Sequence, residues 1–332
     1  MNLLKSKIFQ NLVIIVLSIF VAFGLLEVTL RLFDPIGIKY FIEMRRYFAS
    51  MQNNDIYAYI HTPGYNDVLQ CVEVKINSHG FRGPEFDTKK ATNITRILVL
   101  GDSVVFGWGV PQSDIFTLQL QHMLTNLRKN IEIIPLGVGS WNTRTEYEYF
   151  KVTGITFEPN ILIQVIISND IDPKRTGHTD ISKEKLFKEE YSNSYEILSK
   201  FKRNIVNRSY CLSFLQYYLK RQLKINNQDK VNVSSSLWKD TELALDGIVE
   251  LCQKRKIVYV PFLYGTHKSI NENPIMKLYS DYFEKNDIKY IYMSDEKIFE
   301  REFTNTIVDR HPNSKGHHLL AERIYDFLKP LL

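Results

Sequence analysis

Short apolar segments that alternate with amphipathic segments restrict the fold of this chain more than any other feature. The segment 96–100 is apolar after its first residue and is closed by Gly101, as expected of a buried parallel strand. Phe116, Leu120 and Leu124 then recur at helical spacing, with Ser113 or Asp114 as a possible cap. Further strands are predicted at 131–136, 161–167, 257–263 and 289–293, and further helices at 146–154, 237–254, 275–285 and 314–331. This alternation predicts an α/β domain with three layers (α/β/α) and a mainly parallel sheet.

The N-terminal segment from Ile8 to Leu26 contains no charged residue. As a helix it would be about 28 Å long, close to the thickness of the hydrocarbon core of a bilayer. Lys5 and Lys7 precede it, so the positive-inside rule predicts a cytoplasmic N-terminus. Residues 1–33 are therefore predicted to be a cytoplasmic tail and a transmembrane signal anchor. The rest of the chain is expected outside the cytoplasm, in the periplasm if the host is bacterial.

Two other interpretations of this segment remain open. A cleaved signal peptide usually has an apolar region of about 7–15 residues that ends in a small-residue site. Here the apolar run is longer, and the best such site, Ala22-Phe23-Gly24, lies inside it. A buried core helix is disfavoured because apolar residues occupy every face.

The rest of the chain divides into a connecting region and a domain. Residues 34–95 are predicted to be an irregular connecting region, with a short strand near 72–76. Residues 96–332 form the predicted domain, interrupted by an insertion at 172–230 that is rich in lysine and arginine. The insertion is either a solvated cap or a surface that binds an acidic polymer or lipid headgroups. Its tyrosines are Tyr191, Tyr195, Tyr210, Tyr217 and Tyr218.

Composition excludes several classes of function. The net charge is +5 on 332 residues, which is too small to indicate a nucleic-acid partner. The cysteines Cys71, Cys211 and Cys252 form no CxxC pair, so no zinc site is predicted, and they allow at most one disulfide. Gly101-Asp102-Ser103 lacks the glycine spacing and the lysine of a phosphate-binding loop. We therefore predict neither a metal nor an organic cofactor.

Polar residues follow several of the predicted strands, at the edge of the sheet where α/β proteins bind ligands. Ser103 follows the first strand, Gly139 and Ser140 the second, and Asn169 the third. Asp309 and His311 precede the last helix. Nucleophilic acyl transfer needs a serine, a histidine that removes its proton, an acid that fixes the histidine tautomer, and N–H donors for the oxyanion.

Each of these residues also has a structural interpretation. Ser103 could cap the following helix, and Asn169 could satisfy backbone groups of a loop. A histidine such as His311 is more often a surface or loop residue than a base. Asn313 is expected to cap the last helix, and Asp102 is expected to be structural. The combination of all these positions is what favours acyl-transfer chemistry.

The sequence resembles the SGNH/GDSL hydrolase family. The stretch from Arg96 to Val110, RILVLGDSVVFGWGV, is similar to the first conserved block. Ser168-Asn169-Asp170 resembles the third block, and DRHPN at 309–313 resembles the last one. The segment NSHGFRG at 77–83 is similar to the lead-in of membrane-anchored members. The resemblance covers residues 72–171 and 237–330 and implies a flavodoxin-like SGNH hydrolase fold.

This resemblance implies a role for each residue. Ser103 is the expected nucleophile and first oxyanion donor, and Asn169 is a further oxyanion donor. His311 is the expected base and Asp309 its acidic partner. The family usually places a glycine at the second oxyanion position, where this chain has Ser140, with Gly139 one residue earlier. Either N–H could serve. Only one residue separates Asp309 from His311, where two are commoner.

The function that the resemblance implies is that of a serine esterase or acylhydrolase acting on an ester, or on an O-acylated glycan or lipid, outside the cytoplasm. An O-acetyl transferase or deacetylase of envelope glycan is an alternative. A non-catalytic envelope-binding protein that retains the fold is an alternative from another class. The sequence does not determine the oligomeric state.

Overall fold

The computed structural model describes residues 7–127, 130–171, 208–226, 235–265, 269–293, 298 and 300–332. The helices are α1 (Lys7–Phe33), α2 (Lys39–Ala49), α3 (Ser103–Phe106), α4 (Phe116–Leu127), α5 (Thr143–Val152), α6 (Tyr210–Asn226), α7 (Ser235–Arg255), α8 (Pro274–Lys285) and α9 (Ser314–Leu328). The strands are β1 (Met51–Asn54), β2 (Ala58–His61), β3 (Asn66–Leu69), β4 (Val72–Lys75), β5 (Thr95–Gly101), β6 (Ile131–Gly137), β7 (Ile161–Ile167), β8 (Val258–Tyr264) and β9 (Ile291–Met293).

The central sheet is parallel, with the strand order β6-β5-β7-β8-β9. Numbered within the sheet, this order is 2-1-3-4-5, which is that of flavodoxin-like folds. The register pairs Gly101 with Gly137, so β5 and β6 end side by side. The predicted three-layer α/β/α fold with a mainly parallel sheet is confirmed. The residues after β5, β6 and β7 therefore lie at one edge.

Alternate residues of the strands face opposite layers. Ile97 and Val99 pack in a cluster that contains side chains of α4 and α9. Leu98 and Leu100 pack in a second cluster with side chains of α5 and α7, and α8 covers the β7–β8 side of the sheet through a third cluster. Because both faces are covered, the strands consist almost entirely of apolar residues, which is why they could be predicted.

The element boundaries differ from the prediction at the starts of α5 and α4. Helix α5 begins at Thr143 rather than Glu146, because the Asn142 side chain caps it by accepting the Thr145 N–H. Neither Ser113 nor Asp114 caps α4. Both belong to a 3-10 turn, and the carboxylate of Asp114 accepts a hydrogen bond from Ser314 instead.

Helix α1 contains the predicted apolar segment, and most of its apolar side chains are exposed. It is the one helix among the described residues that is long and apolar enough to cross a membrane. A signal sequence has the same properties. Lys5, on which part of the predicted orientation depends, lies outside the described residues.

The region 34–95, expected to be irregular apart from a short strand near 72–76, contains more regular structure than expected. It contains α2 and two antiparallel hairpins, β1–β2 and β3–β4, and β4 (Val72–Lys75) is the expected short strand. The chain forms two compact units, with a division after Arg46. The unit that begins at Tyr47 contains the hairpins and the sheet. Polar strands such as β1, with the sequence MQNN, show no apolar alternation, so their pairing could not be read from the sequence.

The other unit contains α1 and α6. The carboxylate of Glu27 accepts hydrogen bonds from the Ser209 hydroxyl and from the N–H groups of Tyr210 and Cys211, so a residue of α1 caps the start of α6. Most of the predicted insertion, 172–207 and 227–230 with Tyr191 and Tyr195, lies outside the described residues. No disulfide joins the cysteines at positions 71, 211 and 252.

Candidate active site

Ser103 is the first residue of α3, and one residue, Asp102, separates it from the end of β5 at Gly101. The cap of this helix is Asp102, whose carboxylate accepts the Val104 N–H at 2.9 Å. Capping is therefore the role of Asp102, and the Ser103 hydroxyl is available for another partner. As the first helical residue, Ser103 also has an N–H with no acceptor within the helix. Its side chain is largely buried.

A chain of hydrogen bonds joins Ser103 to His311 and Asp309. The Ser103 Oγ lies 2.8 Å from His311 Nε2, and His311 Nδ1 lies 2.6 Å from Asp309 Oδ1. The carboxylate can only accept, so Nδ1 carries the hydrogen and Nε2 accepts the Ser103 O–H. Ser103 Oγ also lies 3.2 Å from Asp102 Oδ2. The shorter contact to His311 is the one that fits this tautomer.

Asp309 is held by residues that the sequence did not indicate. Its N–H donates to Thr306 Oγ1 at 2.8 Å, and Asn305 Nδ2 donates to its Oδ2 at 3.2 Å. The same Asn305 amide donates to the Trp108 carbonyl at 2.9 Å. Gly109 makes room for it: a Cβ at this glycine would lie 2.3 Å from Asn305 Nδ2. Asn305 thus links the loop after α3 to the carboxylate of Asp309. The hydrogen bond between Asp309 and His311 forms even though only one residue separates them.

The guanidinium of Arg82 donates hydrogen bonds to the loop after α3. It donates to the carbonyl oxygens of Gly107 at 2.6 Å, Val110 at 2.8 Å and Glu73 at 2.9 Å. The side chain is buried, and burial lowers its pKa to about 10. Arg82 lies in the segment 77–83 singled out from the sequence. Its hydrogen bonds connect that segment to the loop that contains Trp108.

The loop after β6 brings Gly139 and Ser140 to the same edge. Ser140 has a φ of 65°, in the left-handed region where glycine is common. This is the conformation expected of the position that the resemblance assigns to a glycine. The Gly139 N–H donates to the Tyr47 hydroxyl at 2.7 Å. The Ser140 N–H donates to no acceptor among the described residues.

Asn169 lies in the turn after β7. Its side chain makes no hydrogen bond with the described residues, and its Oδ1 is buried. The neighbouring Asp170 stabilises the turn, since its Oδ2 accepts the Ile167 N–H at 2.7 Å and its carbonyl accepts the Thr143 N–H. The structural role in this turn therefore belongs to Asp170. Asn169 keeps an amide that is not engaged by the protein.

A buried polar group lies beneath this edge. Glu146, on α5, is fully buried, and its Oε2 accepts a hydrogen bond from Gln164 Nε2 at 2.6 Å. Tyr259 donates to Gln164 Oε1 at 2.5 Å. Burial, with a smaller contribution from the charge of Asp102, raises the pKa of Glu146 to about 8, although the hydrogen bond from Gln164 lowers it. Glu146 is therefore protonated at neutral pH.

The two further histidines on α9 have different environments. His317 is fully buried and accepts the Phe116 N–H at Nδ1, and burial lowers its pKa to about 3. His318 is exposed and contacts Gln119 and Glu322. Within the described part of the chain, no group of three or more His, Cys, Asp or Glu residues could hold a metal ion.

Known structures that are similar to this chain are distant from it. A psychrotrophic esterase from Pseudoalteromonas sp. is 13% identical with a TM-score of 0.46, over 71% of this chain and 98% of the esterase. The protein TesA is 12% identical with a TM-score of 0.46, over 71% of this chain and 99% of TesA. A two-domain esterase active on acetylated mannans is 13% identical with a TM-score of 0.45, over 71% of this chain.

This chain covers 49% of the two-domain esterase, about half of its length. The sequence matches no model of a protein family. It also matches no curated protein. Similarities at this distance do not assign an activity to this chain.

Proposed function

We propose that this protein is a serine esterase of the SGNH type that acts outside the cytoplasm and is held to the membrane by residues 8–26. The observation that carries the proposal is the hydrogen-bonded series Ser103–His311–Asp309. Ser103 lies 208 residues before His311 in the sequence, and the residues meet at the edge of the sheet where ligands of α/β proteins bind.

The geometry supports a covalent route. His311 Nε2 takes the Ser103 proton as Oγ attacks the carbonyl carbon of the ester, and Asp309 stabilises the resulting imidazolium. The tetrahedral intermediate collapses when His311 returns this proton to the leaving alkoxide. A water molecule then attacks the acyl-enzyme, with His311 as its base, and releases the acid and free Ser103.

The negative charge on the carbonyl oxygen needs hydrogen-bond donors. Three candidates are Ser103 N–H, Ser140 N–H and the Asn169 side-chain amide, none of which donates to an acceptor among the described residues. Gly139 is the weaker of the two alternatives, because its N–H already donates to Tyr47. Asn169→Ala should therefore lower kcat about 10²–10³-fold with little change in KM. Ser140→Ala should have little effect, since it keeps the N–H.

Labelling with a fluorophosphonate probe tests the proposal directly. The full chain in detergent should be labelled at Ser103, and it should hydrolyse short-chain aryl esters. Ser103→Ala should abolish both, and His311→Ala should nearly do so. His318→Ala, at an exposed position on α9, is the matched histidine control and should be labelled normally. Labelling that survives Ser103→Ala would contradict the proposal and favour a non-catalytic, envelope-binding function.

The location is tested separately. Lys5 and Lys7 before the apolar segment favour a cytoplasmic N-terminus, which would place the site outside the cytoplasm. A reporter enzyme that is active only outside the cytoplasm, fused after Leu332, should be active. Activity of a reporter that works only in the cytoplasm would contradict the orientation.

A further inference from the structure

The peptide groups on both sides of Gly139 are bound by tyrosine hydroxyls from the segment that precedes the sheet. On the first side, the Gly139 N–H donates to Tyr47 Oη at 2.7 Å. Tyr47 Oη lies 2.8 Å from His61 Nε2, and His61 Nδ1 lies 2.8 Å from the Gly80 carbonyl. A carbonyl can only accept, so Nδ1 carries the hydrogen and the Tyr47 O–H donates to Nε2. Burial lowers the pKa of His61 to about 4, which keeps the ring neutral.

On the second side, the Tyr59 hydroxyl donates to the Gly139 carbonyl at 2.9 Å. This carbonyl and the Ser140 N–H belong to the same trans peptide group, in which C=O and N–H point in opposite directions. A hydroxyl that fixes the direction of the carbonyl therefore fixes the direction of the Ser140 N–H. It also polarises the peptide group, which strengthens the N–H as a donor.

The loop depends on these contacts for its conformation. Ser140 has a φ of 65°, which a residue with a side chain adopts only where its surroundings impose it. A Cβ at Gly139 would lie 2.7 Å from the Tyr47 ring, so the approach of the tyrosine requires glycine at this position. The Trp141 indole N–H donates to the Tyr59 carbonyl at 3.0 Å and holds β2 against the same loop.

We infer that Tyr59 and Tyr47 are positioning residues that orient the Ser140 N–H toward the oxyanion. We call the pair the Gly139 clamp. The inference rests on the proposed function, because it gives the Ser140 N–H a task that only an acyl-transfer reaction provides. Both tyrosines are buried, so the clamp acts through the loop and does not touch the substrate.

Replacement of Tyr59 by phenylalanine removes only the hydroxyl. In the full chain in detergent, Tyr59→Phe should lower kcat for an aryl acetate about tenfold or more, with KM within about twofold of wild type. The affinity for an alkylboronic acid should fall by a similar factor, because its tetrahedral adduct with Ser103 places an oxygen at the same donors. Rates are expressed per active site, titrated with a fluorophosphonate. Tyr47→Phe should show the same split between kcat and KM.

Tyr282→Phe is the matched control. It also removes a tyrosine hydroxyl that makes a hydrogen bond, here to Asp246 at 2.7 Å between α8 and α7. It should leave kcat and the boronic-acid affinity unchanged, whatever it does to stability.

If Tyr59→Phe and Tyr47→Phe both retain the kcat and boronic-acid affinity of Tyr282→Phe, while wild type is labelled at Ser103, the clamp is overturned and the proposed function stands. If wild type neither hydrolyses esters nor reacts at Ser103, the proposed function fails and the clamp fails with it. If one of the two tyrosine variants does not fold, the kcat and boronic-acid affinity of the other variant decide the outcome.

Discussion

Replacement of Glu146 by glutamine should make the stability of the protein less dependent on pH. Glu146 is fully buried. The hydrogen bond from Gln164 lowers the pKa of its carboxyl group, and the negative charge of Asp102 raises it. Burial raises its pKa from 4.5 to about 8. The folded protein therefore keeps a proton on this carboxyl group at pH values where the unfolded chain has lost it. Glutamine has nearly the same shape and carries no titrating proton.

The size of the effect follows from this difference in pKa. Between about pH 4.5 and 8 the folded state binds one proton more than the unfolded state at this position. The free energy of unfolding should then fall by about 1.4 kcal/mol for each pH unit. The contribution of Glu146 is fully present below pH 4.5 and is lost as the pH rises through 8. By pH 7 the loss amounts to about 3 kcal/mol.

Urea unfolding of the full chain in detergent at several pH values between about 5 and 8 measures this loss. The fluorescence of Trp108 and Trp141, both buried, reports the unfolding of the sheet unit. The difference in unfolding free energy between Glu146→Gln and wild type should rise steadily with pH. Glu148→Gln, at a partly exposed residue that pairs with Lys151, controls for the loss of one acidic residue. A difference that stays constant across the range would refute a protonated Glu146.

Three further predictions concern the support of the site. Arg82→Met should lower the unfolding free energy by about 3–5 kcal/mol in urea, because two buried carbonyl oxygens and one partly buried carbonyl oxygen lose their donor. Gly109→Ala should displace Asn305 and slow fluorophosphonate labelling about tenfold, and Asn305→Ala should match it; labelling at the wild-type rate in both would exclude a role for this amide. His317→Ala should destabilise the fold by about 2–4 kcal/mol in urea unfolding, whereas His318→Ala should change it by less than about 0.5 kcal/mol; equal effects would contradict the difference in burial.

The sheet could be predicted because its strands are buried on both faces. A strand such as β7, ILIQVII, is nearly continuous in apolar and β-branched residues, and its predicted bounds match the structure. Helix α2 was missed although its apolar residues, among them Phe41, Met44 and Phe48, recur at helical spacing. That signal was present in the sequence. In the hairpins, β4 (VEVK) alternates and could be expected near 72–76, whereas β1 (MQNN) carries no comparable signal, because tertiary contacts determine its pairing.

The same limit applies to the site. Ser103 and Asn169 could be selected because polar residues at the ends of parallel strands share one edge, and His311 because it precedes the last helix together with Asp309. Their catalytic roles stay predictions until they are assayed. Asn305, Tyr47 and Tyr59 could not be selected in this way. Each acts on a backbone or carboxylate group through a contact that depends on the folded loops, such as the Tyr59–Gly139 bond across 80 residues.

The hairpins before the sheet also determine where the chain can be shortened for work in solution. A version that begins at residue 77, the first residue of the segment NSHGFRG, would lose Tyr47, Tyr59 and His61. The Gly139 N–H and carbonyl would then lose their partners, and Trp141 would lose the acceptor of its indole N–H. A version that begins between Phe33 and Lys39 removes α1 and keeps all of these contacts. We expect the version that begins at residue 77 to remain soluble but to hydrolyse esters poorly. Its low activity would then result from the loss of α2 and the two hairpins, and not from the absence of a membrane.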